Sequence, residues 1–151
     1  MKVKLKTIVT ASIAVILLTL VVIFNVPHNL NNTLRFDDSE WIFMTVSIMK
    51  NVEGRIVSES EQFTFEKGTA EFTDINNVLG GYSYNRTFAR DERVFSGTSN
   101  ITSITILGEN SSTLFLVNIA GANMKVNGTI RRMRQNTIIE LIDRILEICE
   151  M

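Results

Sequence analysis

Four basic residues lie close together near the carboxyl end of the sequence, in the stretch MKVNGTIRRMR. They are Lys125, Arg131, Arg132 and Arg134, and no acidic residue interrupts the stretch. Because ammonium and guanidinium groups bind phosphates and carboxylates, the stretch predicts a surface for anionic lipid headgroups, an anionic wall polymer or an acidic protein. The alternative is that these charges protect an edge strand from aggregation.

The residue types that most catalytic and metal sites require are scarce. His28 is the single histidine and Cys149 the single cysteine, and His28 follows the predicted membrane segment directly. A Ser-His-Asp triad, a Cys-His pair or an ordinary zinc site therefore cannot be assembled. We expect no catalytic residues, no cofactor and no metal.

A carboxylate-dependent hydrolase of the cell envelope is the alternative, because two acidic side chains suffice for glycoside chemistry. The acidic residues in predicted loops are Asp37, Asp38, Glu40, Asp91 and Glu92. Asp91 and Glu92, in the stretch ARDERVF, would carry the reaction. The competing interpretation is that all five acids are ordinary solvated surface charges.

The elements that would position these residues begin with strands. Alternating apolar residues predict a strand over Trp41 to Lys50, a turn at NVEGR and a second strand at IVSES. The stretches EQFTF and TAEF predict a hairpin around Gly68. A short helix in TDINNVLGGY would start at Thr73 or Asp74, YSYNRTFAR resumes the alternation, and DERVFSGTSN is a predicted loop.

The second half of the chain predicts more strands and a closing helix. ITSITIL and TLFLVNIA flank a turn at GENSS, and NMKV and TIRRMR flank Asn127–Gly128, a pair that favours a type I′ hairpin turn. NTIIELIDRILEICEM has an apolar stripe, with Thr137 and Glu140 as a predicted capping box. Cys149 falls on that stripe, so we expect it to be buried; a disulfide-linked dimer is the alternative.

The order of these elements predicts an α+β fold. An N-terminal transmembrane helix would precede one mostly antiparallel sheet domain, with a short middle helix and a C-terminal amphipathic helix packed on the sheet.

The amino end carries Lys2, Lys4 and Lys6, and no Asp, Glu, Lys or Arg follows until Arg35. Residues 7–26 would make a helix of about 30 Å, which matches the hydrocarbon thickness of a bilayer. No Ala, Gly or Ser lies between Ala14 and Ser39, so a signal-peptidase site is poorly supplied. An uncleaved signal anchor is therefore predicted, and a secreted protein with a cleaved signal peptide is the alternative.

These features divide the chain into a cytoplasmic basic end (1–6), a transmembrane signal anchor in the lipid bilayer (7–26), a tether (27–35) and an extracytoplasmic domain (36–151). Lysines only before the span favour a single-pass plasma-membrane protein whose C-terminal domain lies outside. Removing those three lysines from the 15 Lys and Arg leaves 12, against 16 Asp and Glu. This acidic balance argues against nucleic acid as a partner.

The run FTDINNVLGGYSYNRT, together with MKVNGTIRRMRQNTIIELIDRIL, resembles small single-span or exported proteins of Gram-positive bacteria whose function is unknown. The resemblance extends from Glu66 to Ile148. It implies a location in the cell envelope and assigns no catalytic residues. The predicted function is a membrane-anchored, extracytoplasmic binding or modulating module, whose partner is another envelope protein or an anionic polymer. A structural homo-oligomer, assembled through the span or Cys149, is a further alternative.

Overall fold

The computed structural model describes residues 2–53, 55–87, 101–118 and 123–150. Over these ranges the chain has an α+β fold, with one antiparallel sheet of eight strands and four α-helices. The predicted fold class and the mostly antiparallel sheet are confirmed. The predicted loop at 91–100, with Asp91 and Glu92, lies outside the described residues.

The elements follow one another in a mixed order along the chain. The helices are α1 (Lys2–Asn25), α2 (Leu30–Leu34), α3 (Ala70–Gly80) and α4 (Gln135–Ile148), and a 3₁₀ helix covers Phe36–Asp38. The strands are β1 (His28–Asn29), β2 (Trp41–Val52), β3 (Arg55–Glu66), β4 (Ser83–Arg86), β5 (Ile101–Gly108), β6 (Thr113–Asn118), β7 (Asn123–Val126) and β8 (Thr129–Arg132). Across the sheet the order is β1-β4-β8-β7-β6-β5-β2-β3.

The hydrophobic core lies between one face of the sheet and the helices α3 and α4. Directly opposite residues of neighbouring antiparallel strands share a face. One such row crosses β2, β5, β6 and β7 and is fully buried: Val46, Ile104, Leu116 and Met124. The stripe predicted for α4 packs against this face through Ile138, Leu141, Ile142 and Ile145. The closing helix on the sheet is therefore confirmed.

The predicted hairpin around Gly68 is wrong. β3 is continuous from Arg55 to Glu66 and pairs with β2 along its whole length, so β2 and β3 form the long hairpin instead. Lys67 and Gly68 connect β3 to α3, whose N-cap is Thr69, not Thr73 or Asp74. The Thr69 hydroxyl accepts a hydrogen bond from the Phe72 N–H at 3.3 Å. A run as short as TAEF is compatible with both the period of a strand and the period of a helix. The Thr69 cap and the burial of Phe72 in the core favour the helix.

The turn predicted at the β7–β8 hairpin is confirmed, and the cap predicted for α4 is wrong. Asn127 and Gly128 both have positive φ, 49° and 71°, as a type I′ turn requires. α4 begins two residues before Thr137, directly after the extended residue Arg134. Glu140 consequently lies inside the helix, where its carboxylate pairs with Arg144 at 3.5 Å.

Residues 27–35, predicted as a loop-like tether, are instead part of the folded sheet domain. β1 pairs with β4, with His28 opposite Tyr84, and α2 buries Leu30 and Leu34 completely. The asparagines that predicted a loop include one that caps a helix. The Asn29 side chain caps α2 by accepting a hydrogen bond from the Asn32 N–H at 3.2 Å.

α1 carries the most apolar stretch of the molecule. The 18 residues Ile8–Asn25 have a mean hydropathy of 2.6, and none of this stretch is buried within the protein. The helix is long and apolar enough to cross a membrane, a property that membrane anchors share with signal sequences. Its hydrogen bonding continues to Val26, whose N–H donates to the Val22 carbonyl at 3.0 Å. Val26 and Pro27 are the two residues between α1 and β1.

Candidate functional site

The structure divides the four predicted basic residues between different surfaces. Lys125 lies on β7 opposite Ile130, while Arg131 lies on β8 opposite Met124. Since side chains alternate along a strand, Lys125 and Arg132 share the sheet face away from α4, and Arg131 lies on the helix-covered face. Arg134 is exposed in the connection before α4. A single surface made of all four residues is therefore not formed.

Arg131 stabilises the edge of the sheet from the helix-covered face. Its guanidinium carbon lies 5.6 Å from the centroid of the Tyr84 ring, within the range of a cation–π contact. The same ring stacks on His28 at 5.6 Å, and the Tyr84 hydroxyl donates a hydrogen bond to Thr33 at 3.1 Å. This contact set joins β8, β4, β1 and α2. Arg131 is half-buried and holds the fold together at this edge.

Arg132 lies opposite Asn85 at the end of β8, and the next residue of β4 is Arg86, which the sequence analysis did not select. The register gives Arg86 the face of Arg131 and Arg132 the other face, and both residues lie at the ends of their strands. β4 and β8 are neighbours, and their register places Asn85 opposite Arg132 and Arg86 opposite Arg131. Arg86 and Arg132 are both exposed. Arg86 is distant in the sequence, and no local pattern marks it; only the pairing of β4 with β8 brings it to the site.

Arg86 and Arg132 line a groove of about 370 Å³ against the end of α1. We call it the arginine groove; its lining residues are Leu20, Val21, Phe24, Asn25, Asn85, Arg86, Thr87 and Arg132. One wall is formed by the residues of the sheet edge, among them the two arginines, and the other by the last two turns of α1. None of the described residues that line the groove is acidic. Chemically it can bind an anion and, beside it, an apolar chain.

Charge is distributed unequally across the sheet. β4, β7 and β8, near α1, carry only basic charged residues, whereas the opposite edge strand β3 carries three acids and one base. The basic residues are Arg86, Lys125, Arg131 and Arg132, and those of β3 are Arg55, Glu59, Glu61 and Glu66. Over the described strands, positive charge is therefore concentrated towards the edge that α1 adjoins.

Ion pairs in the described part of the chain lie away from the arginine groove. They join Arg35 to Asp38 at 2.6 Å, Lys50 to Glu59 at 3.6 Å, Lys67 to Glu40 at 3.3 Å, and Arg144 to Glu140 at 3.5 Å. Within that same part, no carboxylate neutralises Arg86 or Arg132. Asp38 and Glu40, two of the acids considered for hydrolysis, are exposed, and each pairs with a basic residue. Asp91 and Glu92 lie outside the described residues, so the hydrolase remains a sequence prediction.

A second groove, of about 350 Å³, lies where the end of α3 meets α4. Tyr82, Glu140 and Arg144 line it together with Asn77, Val78, Gly81, Ser83 and Thr137. Burial raises the pKa of the Tyr82 phenol, and the adjacent Glu140 carboxylate adds to this shift, while Arg144 opposes it. The phenol therefore stays protonated at neutral pH. The sequence analysis gave no indication of this groove.

Metal ligands do not come together in the described ranges, where no group of three or more His, Cys, Asp or Glu side chains is found. Comparison of the chain with protein-family models, with curated proteins and with solved structures found no match. The role of the arginine groove is therefore argued from its geometry and charge.

Proposed function

We propose that the protein is a membrane-anchored, extracytoplasmic and non-catalytic binding module of the cell envelope. In this proposal α1 remains uncleaved in the plasma membrane, and the sheet domain lies outside. The apolar side chains of α1 support it, because a helix of this hydropathy with no part buried would expose a large apolar patch in water. Lysines at 2, 4 and 6 favour a cytoplasmic amino end.

The observation that carries the proposal is the short connection between α1 and the sheet. α1 ends at Asn25 and β1 begins at His28, so the two elements are separated by at most about 11 Å of chain. β1 forms the same edge as β4 and β8. An anchored α1 therefore holds the basic edge next to the membrane surface and leaves the acidic strand β3 at the far side.

This geometry favours a binding role for the basic edge. Arginines that face an anionic surface have a favourable electrostatic energy there, which falls off within about a Debye length of the surface. Anionic envelope components that reach the outer membrane surface, either lipids, wall polymers or acidic segments of other proteins, are the partners that such an edge selects.

The experiment that tests the proposal follows the fate of the full chain. A carboxyl-terminal epitope is added, the protein is produced in a Gram-positive host, and membranes, cytoplasm and medium are compared. We expect the intact mass in the membrane fraction, with the epitope digested by protease added to protoplasts. A mature chain free in the medium and starting downstream of Val26 would overturn the anchor and support the secreted alternative.

A matched variant makes release detectable. The double substitution Val22→Ala and Phe24→Ala creates the Ala-x-Ala pattern that signal peptidase recognises. We expect this variant to be cleaved and to reach the medium while the unmodified chain stays in the membrane.

A further inference from the structure

We infer that the arginine groove binds the phosphate of an anionic phospholipid in the leaflet where α1 ends. The inference rests on the proposed function and names the ligand class of the basic edge. It follows from three features of the groove: two arginines that form no ion pair with a described residue, an apolar wall formed by the anchor itself, and the position of the groove at the end of α1.

The guanidinium groups supply the anion site. Arg86 and Arg132 project from neighbouring strands, both are exposed, and neither forms an ion pair with a described residue. Guanidinium binds phosphate oxygens through two parallel N–H donors, which gives stronger and more oriented bonds than a single ammonium does. Two arginines that line one groove therefore supply donors for more than one oxygen of an anion such as a phosphate.

The opposite wall decides between a lipid and a soluble anion. Leu20 and Val21 are 43% and 60% exposed, and both line the groove with Phe24. A wall polymer or an acidic protein segment would leave these side chains without an apolar partner. An amphiphile fills both walls, since its acyl chain lies along α1 and its phosphate meets the arginines.

The position of the groove fits this arrangement. Asn25 ends α1, and its side-chain amide donates to the Val21 carbonyl at 2.8 Å, which supplies one acceptor of the last turn with a donor. The apolar groove residues of α1, which are Leu20, Val21 and Phe24, precede the polar residue Asn25 along the helix. This order along the helix matches the order of acyl chain and headgroup in a bilayer.

The test measures lipid preference around the full-length protein. The protein is placed in phosphatidylcholine nanodiscs, and spin-labelled phosphatidylglycerol or spin-labelled phosphatidylcholine is added in trace amounts. The motionally restricted fraction of each label gives their relative affinity. Since one basic residue at an anionic interface contributes about fivefold, two contribute up to about 25-fold, and we expect a preference for phosphatidylglycerol between about fivefold and 25-fold that weakens with salt.

Two variants separate the groove from general charge. The double variant Arg86→Gln, Arg132→Gln should lose the preference, whereas Arg55→Gln, which removes an exposed arginine on β3 at the far edge, should keep it. Thermal unfolding of the double variant should match that of the unmodified protein, because both side chains are exposed. Equal preference in the two variants, or no preference in the unmodified protein, would overturn the inference.

The source of the phosphate is tested in the same system. Inorganic phosphate is titrated into phosphatidylcholine nanodiscs while the arginine side-chain NMR signals are followed. Saturable shifts of Arg86 and Arg132 without any phosphatidylglycerol preference would assign the site to a soluble anion and reject the lipid. An anchored, intact chain that shows no lipid preference rejects this inference alone, whereas a released chain rejects the proposed function.

Discussion

Arg131 and Arg132 are neighbours in the sequence and have different environments in the fold. A strand places successive side chains on opposite faces, so Arg131 contacts the Tyr84 ring and Arg132 faces the end of α1. Their charges are the same, and their roles differ because of this alternation. A run of basic residues in a strand therefore supplies about half of its members to any one surface.

Cys149 is the residue whose chemistry the fold alters most clearly. It follows α4, packs against the core and is half-buried. Burial raises the pKa of its thiol to about 11, and the Glu61 carboxylate adds to the shift. The sequence predicted a buried Cys149; the residue packs against the core as expected but is only half-buried, and a disulfide-linked dimer remains a prediction.

We predict that the Cys149 thiol reacts slowly in the folded protein. A pKa of about 11 instead of 9.0 lowers the thiolate population about 100-fold at neutral pH, and the thiolate is the nucleophile. Alkylation by iodoacetamide at about pH 8, measured by mass spectrometry with and without denaturant, checks this. Equal rates in the two states would contradict it.

The same shift gives a pH dependence of stability with a definite sign. The raised pKa means that the folded state favours the protonated thiol, so its contribution is complete below about pH 9 and is lost as the pH rises towards about 11. Cys149→Ala should reduce the fall in the free energy of unfolding across that window. Tyr82 contributes in the same direction and remains in the variant.

At the scale of elements, the segment between α1 and β2 is fixed by one close contact. Phe36 is fully buried, and its ring lies over Gly108 at the end of β5. The Asn110 amide donates to the carbonyls of Leu34 and Arg35 at 3.0 and 2.9 Å. The 3₁₀ helix therefore depends on a residue without a side chain at position 108.

Gly108→Ala should destabilise the protein by about 1–3 kcal/mol, the usual range for an overpacked core. A Cβ at this position would lie 2.7 Å from Phe36 Cδ1 and 2.8 Å from Asn110 Oδ1, and the buried ring has little room to move. Urea unfolding of the full chain in detergent measures the change.

Gly80→Ala is the matched control for this prediction. A Cβ at Gly80 would have no atom within 4 Å, and the residue lies in α3, where alanine is favoured over glycine. We expect unchanged or slightly higher stability. An equal loss in both variants would show that the Phe36 contact is not the cause.

Long elements whose apolar residues repeat with one clear spacing could be predicted from the sequence. Short elements whose apolar residues fit both the helix and the strand spacing could not. β2 alternates over many residues and α4 repeats its apolar stripe, so both were identified from the sequence. TAEF and the segment 27–35 are shorter than the patterns that separate helix from strand. Their structures depend on burial of Phe72, Leu30 and Leu34, which is a tertiary effect.

At the scale of the whole molecule, the folded body starts at β1 instead of residue 36. Leu30 and Leu34 are fully buried, and burying each contributes about 1.5–3 kcal/mol. Together they approach the total stability of a small domain, about 5–15 kcal/mol. The predicted boundary at 36 would therefore remove part of the core.

A soluble chain of residues 27–151 should fold cooperatively, and one of residues 36–151 should be largely unfolded or melt at a much lower temperature. The longer chain keeps the β1–β4 pairing and the buried leucines of α2, and the shorter one exposes the sites they fill. Circular dichroism in the near ultraviolet during thermal unfolding distinguishes the two. Coincident melting curves would contradict the boundary at β1.

The candidate site was only partly predictable at this scale. The basic stretch marked Arg132 as a candidate, because composition alone shows a local charge excess, and the residue is exposed. Its role in binding stays a prediction. Arg86 lines the groove because β4 pairs with β8, and α1 lines it because the helix ends beside these strands. These are properties of the three-dimensional arrangement, and no window of the sequence contains them.

The joint at Val26 and Pro27 also has a mechanical consequence. Proline has a restricted φ, so a connection this short transmits rotation of the helix to the sheet instead of absorbing it. Seven strand spacings of about 4.8 Å place β3 roughly 34 Å from β1. In an anchored chain the sheet acts as a lever arm, so that a few degrees of helix tilt, as bilayer thickness changes, swing the acidic edge through several ångströms.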